Sequence, residues 1–462
     1  MAEKSAIPVE LGTEKIGRLL KQYALPAIIA QTASSLYNMV DSIFIGQGVG
    51  PLAISGLAVT FPLMNLSTAF GTLVGAGAAT MLSVLLGQKN YKAANKVLGN
   101  VVSLNVILGL LFMAVALTFI DPILYFFGAS ENTLPYAKEY IQIILYGNIV
   151  THLYFGLNAA MRSSGNPKKA MALTIFTVVF NTILDPIFIF VFDMGIAGAA
   201  WATVIAQTAA MIVVLKHFSD KSRAFHFEKG IFKLDPRVAK DSLVIGMGPF
   251  LMNAAACLVT LFINQQLRDY SGDLGIGSYG ICNRFIFMFI MICMGLNQGM
   301  QPIAGYNYGA KQYSRVKEVF WMTAKLGTIV TTLCFCIGMF IPRLAAGIFT
   351  HDEALLNMSA EGMRILTIGF PIVGFQMIGT NFFQCLGMVK KSIILSLSRQ
   401  LLFLLPLLYC LPLWMGANGV WMSFPISDVL SAILTAILLR RLFKKFNTLK
   451  DGEESTILGS NL

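Results

Sequence analysis

The sequence predicts an all-α polytopic membrane protein with twelve transmembrane helices in two pseudo-symmetric six-helix lobes. Three observations carry that prediction: an apolar composition, basic residues gathered in alternate connections, and an internal repeat offset by about 222 residues. Of the 462 residues 56% are hydrophobic and only 12% charged, with a mean hydropathy of +0.70. Such a balance belongs to chains that bury most of their surface in lipid. Apolar runs place the spans at about 17–45, 52–84, 94–120, 136–160, 170–192, 196–217, 239–267, 276–304, 316–341, 355–385, 392–413 and 419–439. Several exceed the ~20 residues that cross a bilayer, so tilt, bending or protrusion is expected. Met1 to Thr13 is polar and holds no short apolar core with a small-residue cleavage site, so no signal peptide is expected.

Basic residues set the orientation. Lys4, Lys15, Arg18 and Lys21 lie at the N-terminus; Lys89, Lys92 and Lys96, then Arg162, Lys168 and Lys169, then seven residues from Lys216 to Lys240 follow in alternate connections. Lys311, Arg315 and Lys317, then Lys390 and Lys391, then Arg440 to Lys450 continue the pattern, while the opposite connections hold only Lys138, Arg268 and Arg343. By the positive-inside rule both termini are cytoplasmic and the chain sits in the plasma or inner cell membrane. The net charge of +11 is thus a topology signal, not a nucleic-acid footprint. The seven cysteines (257, 282, 293, 334, 336, 385 and 410) fall nearly all in apolar runs, and the four histidines are scattered. Core packing is their expected role, and no metal site or cofactor is expected.

The repeat is read from paired signals. A shift of 222 pairs Leu52 with Leu274, Ile54 with Ile276, Gly87-x-Lys89-x-Tyr91 with Gly309-x-Lys311-x-Tyr313, and Gly165…Lys168-Lys169 with Gly387…Lys390-Lys391. A shift of 221 pairs Met194-Gly195 and Gly198 with Met415-Gly416 and Gly419. Six spans per repeat is an even number, so both halves insert the same way round, related by an axis along the membrane normal with the substrate path between them. The expected division is an N-lobe over 1–217, a charged cytoplasmic linker over 218–236 and a C-lobe with its tail over 237–462.

The polar residues inside the spans point to chemistry. Within the apolar run from Ala170 to Phe192 stands Asn181-Thr-Ile-Leu-Asp185-Pro186. An aspartate at membrane depth costs roughly 2.5–3.5 kcal/mol on insertion scales, so it faces a cavity or a partner. Asn181 and Asp185, four apart, share a helix face, and Pro186 leaves a carbonyl unpaired one turn back. On the first span Gln31, Ser34, Asn38 and Asp41 recur every three or four residues, with Tyr37 one turn before Asp41 and Pro26 in the same run, where it should bend or break the helix. On the sixth span Thr203 and Gln207 are four apart. At 1.5 Å per residue, Asp41, Asp185 and Thr203 come out ~7, ~10 and ~11 Å below the outer ends of their helices, a common depth. Two carboxylates in a low-dielectric pocket cannot easily both ionise, so such a site can hold a proton or a sodium ion at one face and release it at the other. The second half carries no such acids: Asp185 maps near Leu407, and Asp41 near Ile263 or Asn264.

Asn181 to Phe190, the Tyr37-Asn38-x-x-Asp41 seam, Pro26 and Gly195 to Thr203 resemble the MATE family of multidrug and toxin extruders, and the similarity covers essentially the whole chain. The DinF-like branch is the more similar, and its N-lobe aspartates would fall on Asp41 and Asp185, with Asn181 and Thr203 completing the cation-coupling network. The NorM-like branch places further acids in the C-lobe, where this chain has Asn253, Asn264, Gln376 and Asn381, so a NorM-type sodium site is not expected there. The resemblance implies a cation antiporter, coupled to H+ or Na+, that exports amphipathic and often cationic drugs. A monomer is expected, with the lipid bilayer and small-molecule drugs as its partners. A flippase for lipids or lipid-linked oligosaccharides, from the related superfamily, is the alternative.

The remaining candidates have bland and functional readings side by side. Arg284, Arg399 and Asp428 lie near mid-membrane on spans eight, eleven and twelve, as a fold-locking ionic cluster or a substrate or gating element. Gln31, Asn158, Met171 and Gln207 join Tyr37 and Asn38 as candidate drug contacts, and Pro26 as the hinge. Asp121-Pro122 is expected to stop the third helix. There is no Walker-type loop, no metal-binding histidine spacing and no nucleophile elbow, so neither an enzyme nor an ATP-driven pump is expected. An ion channel needs a continuous polar path, whereas the polar seam is confined to half of one lobe.

Overall fold

The computed structural model describes residues 8–453 apart from 224, 229, 231, 232 and 351, and leaves out the side chains of 38, 39, 42, 43, 46, 51, 54, 268 and 273. No β-strand occurs among the described residues. In lipid the backbone must satisfy itself, which long apolar helices do. The first six passes are α1 (Ile16–Gly48), α2 (Pro51–Gly87), α3 (Tyr91–Thr118), α4 (Leu134–Tyr146, resumed as Asn148–Ser163), α5 (Pro167–Pro186, continued by a π-turn over Ile187–Val191) and α6 (Gly195–Ser219). The next six are α7 (Pro236–Leu267), α8 (Leu274–Gly309), α9 (Tyr313–Phe340), α10 (Glu353–Thr367 and Phe370–Cys385, bent by 55°), α11 (Val389–Met415) and α12 (Ala417–Phe446). By length and hydropathy nine helices among the described residues can cross a membrane, and α10 makes ten. The interrupted α4 and the 33-residue α1 complete the twelve. This is a multi-pass membrane protein.

Local chemistry sets the helix starts. Proline opens α2, α5 and α7, where its missing N–H is no loss. Asn90 caps α3 through Ala93 N at 3.2 Å, and Asp352 caps α10 through Leu355 N at 2.8 Å. Asp121 does not merely stop α3. It enters a short helix, Ile120–Phe126, and pairs with Lys138 at 2.8 Å. The repeat is visible in the backbone itself. Lys89 and Lys311 both take positive φ (60° and 59°), as do Gly165 and Gly387 (93° and 69°) and Gly195 and Gly416 (58° and 57°). Both α5 and α11 carry a π-turn, at Ile187–Val191 and Ser398–Leu404.

The chain divides into two compact units. Unit 1 holds Ile29–Phe250 and the described residues up to Thr13; unit 2 holds Glu14–Ile28 and the described residues from Leu251 on. The start of α1 therefore belongs with the second half, and the start of α7 with the first. Glycines make both arrangements fit. In unit 1 a Cβ on Gly77 of α2 would lie 1.8 Å from Ser242 O of α7, and one on Gly246 of α7 would lie 1.8 Å from Leu73 O of α2. In unit 2, Gly299 and Gly295 of α8 leave room for Ala24 and Ile28 of α1, whose Cα atoms would be 2.4 and 2.5 Å from added Cβ atoms. Small residues at such crossings let helix backbones touch and gain van der Waals contact. The backbone on both sides of Pro26 is thus held against α8, and α1 stays helical through the proline instead of breaking there.

Each unit has further ties. In unit 1 the segment after α6 is fastened to α3: Asn95 donates to Glu228 Oε1 (2.8 Å), Asp235 N donates to Asn100 Oδ1 (3.0 Å), and Lys96 pairs with Asp235 at 3.6 Å. In unit 2 the tail after α12 folds onto the start of α9. Ser314 N donates to Asp451 Oδ1 (3.1 Å), the Ser314 hydroxyl to Asp451 Oδ2, Tyr313 Oη to Glu453 O (3.0 Å) and Gly452 N to Lys311 O (2.9 Å).

Candidate functional site

The polar residues of unit 1 converge where α1, α5 and α6 meet. Asp185, lacking any exposure, and Asn181, 2% exposed, face inward from α5; Asp41, 5% exposed, comes from α1 and Thr203, 8% exposed, from α6. Pro186 cannot donate to Thr182 O, and the helix beyond it widens into the π-turn, closed by Phe192 N to Ile187 O at 3.0 Å. Two close approaches seat this turn. A Cβ on Gly198 of α6 would lie 2.9 Å from the Phe188 carbonyl, and one on Gly48 of α1 would lie 2.4 Å from Ile189 Cγ2. Only glycine lets both neighbours press against the distorted turn, which brings Asp41 and Thr203 to the acid.

Thr203 is the hub. Its hydroxyl lies 2.8 Å from Tyr37 Oη and accepts from Asn181 Nδ2 at 3.3 Å. Asp41 and Asp185 lie near enough for each to feel the other, and two carboxyl groups can share a hydrogen bond only when one of them carries a proton. Without that proton the acceptors outnumber the donors: among the described residues Asp41 Oδ1, both oxygens of Asp185 and Asn181 Oδ1 are buried with no hydrogen-bond partner. Buried acceptors of this kind call for a donor or a cation. The set is all oxygen, so it suits a proton or a hard cation. No group of three His, Cys, Asp or Glu that could hold a metal occurs among the described residues.

The structure brings together Asp41, Asp185, Asn181, Thr203 and Tyr37. It also adds Tyr140 of α4, 1% exposed and close enough to feel the charge of both acids, which sequence reasoning missed. Gln207, one turn from Thr203, accepts from Thr151 of α4 through Oε1. Asn158 is buried, and its amide donates to Ala170 O at 3.2 Å; Gln31 and Met171 are half-buried. The side chain of Asn38 lies outside the described residues. A second polar cluster in unit 1 had no signal in the sequence. His152 Nε2 meets Ser67 O at 2.9 Å, the Ser67 hydroxyl donates to Asn148, and Asn148 Nδ2 donates to Gly109 O at 3.1 Å.

In unit 2 the three charged candidates separate. Arg399 Nε binds Asp428 Oδ1 at 2.6 Å, with Asp428 2% exposed and pressed against Gly369. Arg284 does not join them; it is exposed, and no carboxylate pairs with it among the described residues.

A twice-repeated set of six membrane helices, with acids buried among polar partners in one half, is the architecture of a membrane transporter. The MatE family model matches residues 26–187 and again 249–410, and the chain belongs to the MATE family. It is 28% identical over 426 residues to the multidrug export protein MepA of Staphylococcus aureus (strain MRSA252), covering 92% of this chain and 94% of that protein. MepA of Staphylococcus haemolyticus (strain JCSC1435) is 26% identical over 424 residues, covering 92% and 93%. Among solved structures, the MATE multidrug transporter DinF-BH is 37% identical with a TM-score of 0.88, covering 95% of this chain and 98% of that one. An outward-facing multidrug resistance MATE family transporter of the MOP superfamily aligns with a TM-score of 0.90 at 22% identity, covering 97% and 100%, a likeness of fold alone. These likenesses do not favour the flippase alternative.

Proposed function

We propose that the chain is a secondary active multidrug exporter of the cell membrane. It acts as a monomer with both termini in the cytoplasm, and exchanges an entering cation for an amphipathic, cationic drug by alternating access. The names of its MepA relatives, multidrug export proteins, support drug export. The observation that carries the reading is the acceptor-rich cluster of Asp41, Asp185, Asn181 and Thr203, buried and short of donors. The close approach of two carboxyl groups favours H+ as the coupling ion, and the all-oxygen set keeps Na+ as the second choice.

Tyr37, Asn38, Gln31, Asn158, Met171 and Gln207 are the proposed drug contacts. Tyr37 links drug and cation sites, because it stands one turn from Asp41 on α1 and bonds Thr203. A cation that neutralises Asp41 loosens its hold on the α5–α6 pocket, and α1 pivots at Pro26 to shrink the drug site. Drug and cation then lower each other's affinity by the same factor. The test is efflux from proteoliposomes under an imposed pH or sodium gradient. Asp41→Asn and Asp185→Asn should each abolish gradient-driven export while leaving a folded protein, since a neutral amide is cheaper to bury than a charge. Unchanged efflux in both variants at matched reconstitution would sink the assignment.

A further inference from the structure

Helix α8 has two faces of opposite character. Ile281, Cys282, Phe285 and Ile286 are buried in the core of unit 2, with Tyr279, Phe289 and Ile290 packed around them. The other face carries Asn283, Arg284, Phe287 and Met288, all exposed, the last two at 43% and 59%. One turn before Arg284, Gly280 opens that face further: a Cβ there would meet nothing within 4 Å. Arg284 is ten residues past the helix start at Leu274. That is roughly 15 Å along the axis, beyond the reach of an arginine side chain to the helix start.

A cation inside a membrane-spanning helix costs roughly 2.5–3.5 kcal/mol on insertion scales, which favours a face turned to a cavity over one turned to lipid. Within unit 2, Asp428 answers Arg399, and no acid answers Arg284 among the described residues. A guanidinium with no acid partner among the described residues, beside a gap and two large apolar side chains, suits an anionic group on an apolar body. Its fork can bind a carboxylate or sulfonate through two donors at once, while Phe287 and Met288 take the apolar part.

We infer that Arg284 is an anion-recognising subsite, so that the cargo of this chain includes amphipaths bearing a carboxylate or sulfonate and not organic cations alone. The inference deepens the exporter reading and rests on it for its meaning in transport. The site itself is testable by binding at equilibrium, with no gradient and no coupling ion to change.

The probes are a dansyl-labelled long-chain carboxylic acid and its methyl ester, which differ only in charge, titrated into the purified full-length protein. The wild type should prefer the acid by roughly tenfold or more, the worth of one charged hydrogen-bond pair. Arg284→Gln should bring the ratio to near unity, and Arg284→Lys should restore part of it, with melting temperatures confirming that both variants fold. Equal binding of acid and ester by the wild type, or a preference that survives in Arg284→Gln, overturns the proposal. Repeating the titration in nanodiscs of phosphatidylglycerol and of phosphatidylcholine separates two sources of anion. Weaker acid binding in phosphatidylglycerol, in the wild type only, assigns the subsite to lipid headgroups; equal binding in both assigns it to free amphipaths. Either result supports an anion site. Weakening in Arg284→Gln as well would place the competition elsewhere and count against it.

Discussion

Gly77→Ala isolates the helix crossing that closes unit 1. The added methyl carbon would sit 1.8 Å from Ser242 O and 3.1 Å from Ser242 Cα, where ordinary contact begins at 3.4 Å. The obstacle is backbone, so no rotamer change relieves it, and α2 and α7 must part by about 1.6 Å, the difference of 3.4 and 1.8. Overpacking of this kind costs typically 1–3 kcal/mol, and a rigid contact belongs at about 3. Alanine returns roughly 0.5–1 kcal/mol of helix propensity, which leaves a loss near 2 kcal/mol. For a unit of some two hundred residues that lowers Tm by roughly 4–8 °C. The assay is helical circular dichroism on heating purified protein, with Gly280→Ala as the control because its site is open. Thiol-reactive dyes would be a poor choice, since all seven cysteines lie in unit 2. A Gly77→Ala protein that melts no lower than Gly280→Ala would refute the crossing.

Two other expectations follow, one from the Arg399–Asp428 pair and one from the hydrogen-bonded tail. Asp428→Asn strips Arg399 of its counter-charge and should cost about 3 kcal/mol of stability, the lower end for a broken buried pair because the amide oxygen can still accept. It should leave the pH or sodium dependence of drug binding in place; a stable variant that has lost that dependence would reverse the assignment. At the tail, partial burial pushes the Asp451 carboxyl up, but hydrogen bonds from the Ser314 hydroxyl and amide outweigh it and hold the group below the usual range. The clamp is therefore fully formed above the ordinary aspartate value of ~3.9, and is lost as pH falls through the lower folded value. Proteolysis with an acid-active protease should begin to cut between Asn447 and Asp451 only below that range, and equal protection at all pH values would contradict the clamp.

Asp41, Asp185, Asn181 and Thr203 are legible in the sequence because helical spacing sets the face and residue counts set the depth. Tyr140 is not, since the polar side of its helix is marked by Lys138, Glu139 and Gln142, and only packing brings the tyrosine beside the acids. Equal depth likewise groups Arg284 with Arg399 and Asp428, but depth says nothing of which way a helix is turned, and α8 turns Arg284 away. Paired motifs expose the repeat, down to the positive-φ lysines. The exchange of helix starts stays hidden, because Gly77 and Gly299 show as a matched pair without showing what each one touches. Propensity alone makes Pro26 a breaker, and the α8 contact overrides that propensity.

That exchange has a consequence for how the chain is assembled. Residues Glu14–Ile28 emerge from the ribosome long before the unit they complete, and unit 1 stays open until the chain has been made as far as Phe250. No single cut in the chain yields two finished pieces. Severed between α6 and α7, the first fragment lacks the strip that fills Gly77's groove and carries one meant for Gly299, and the second fragment has the converse fault. Two such fragments are each other's missing part, so they should survive only when made together.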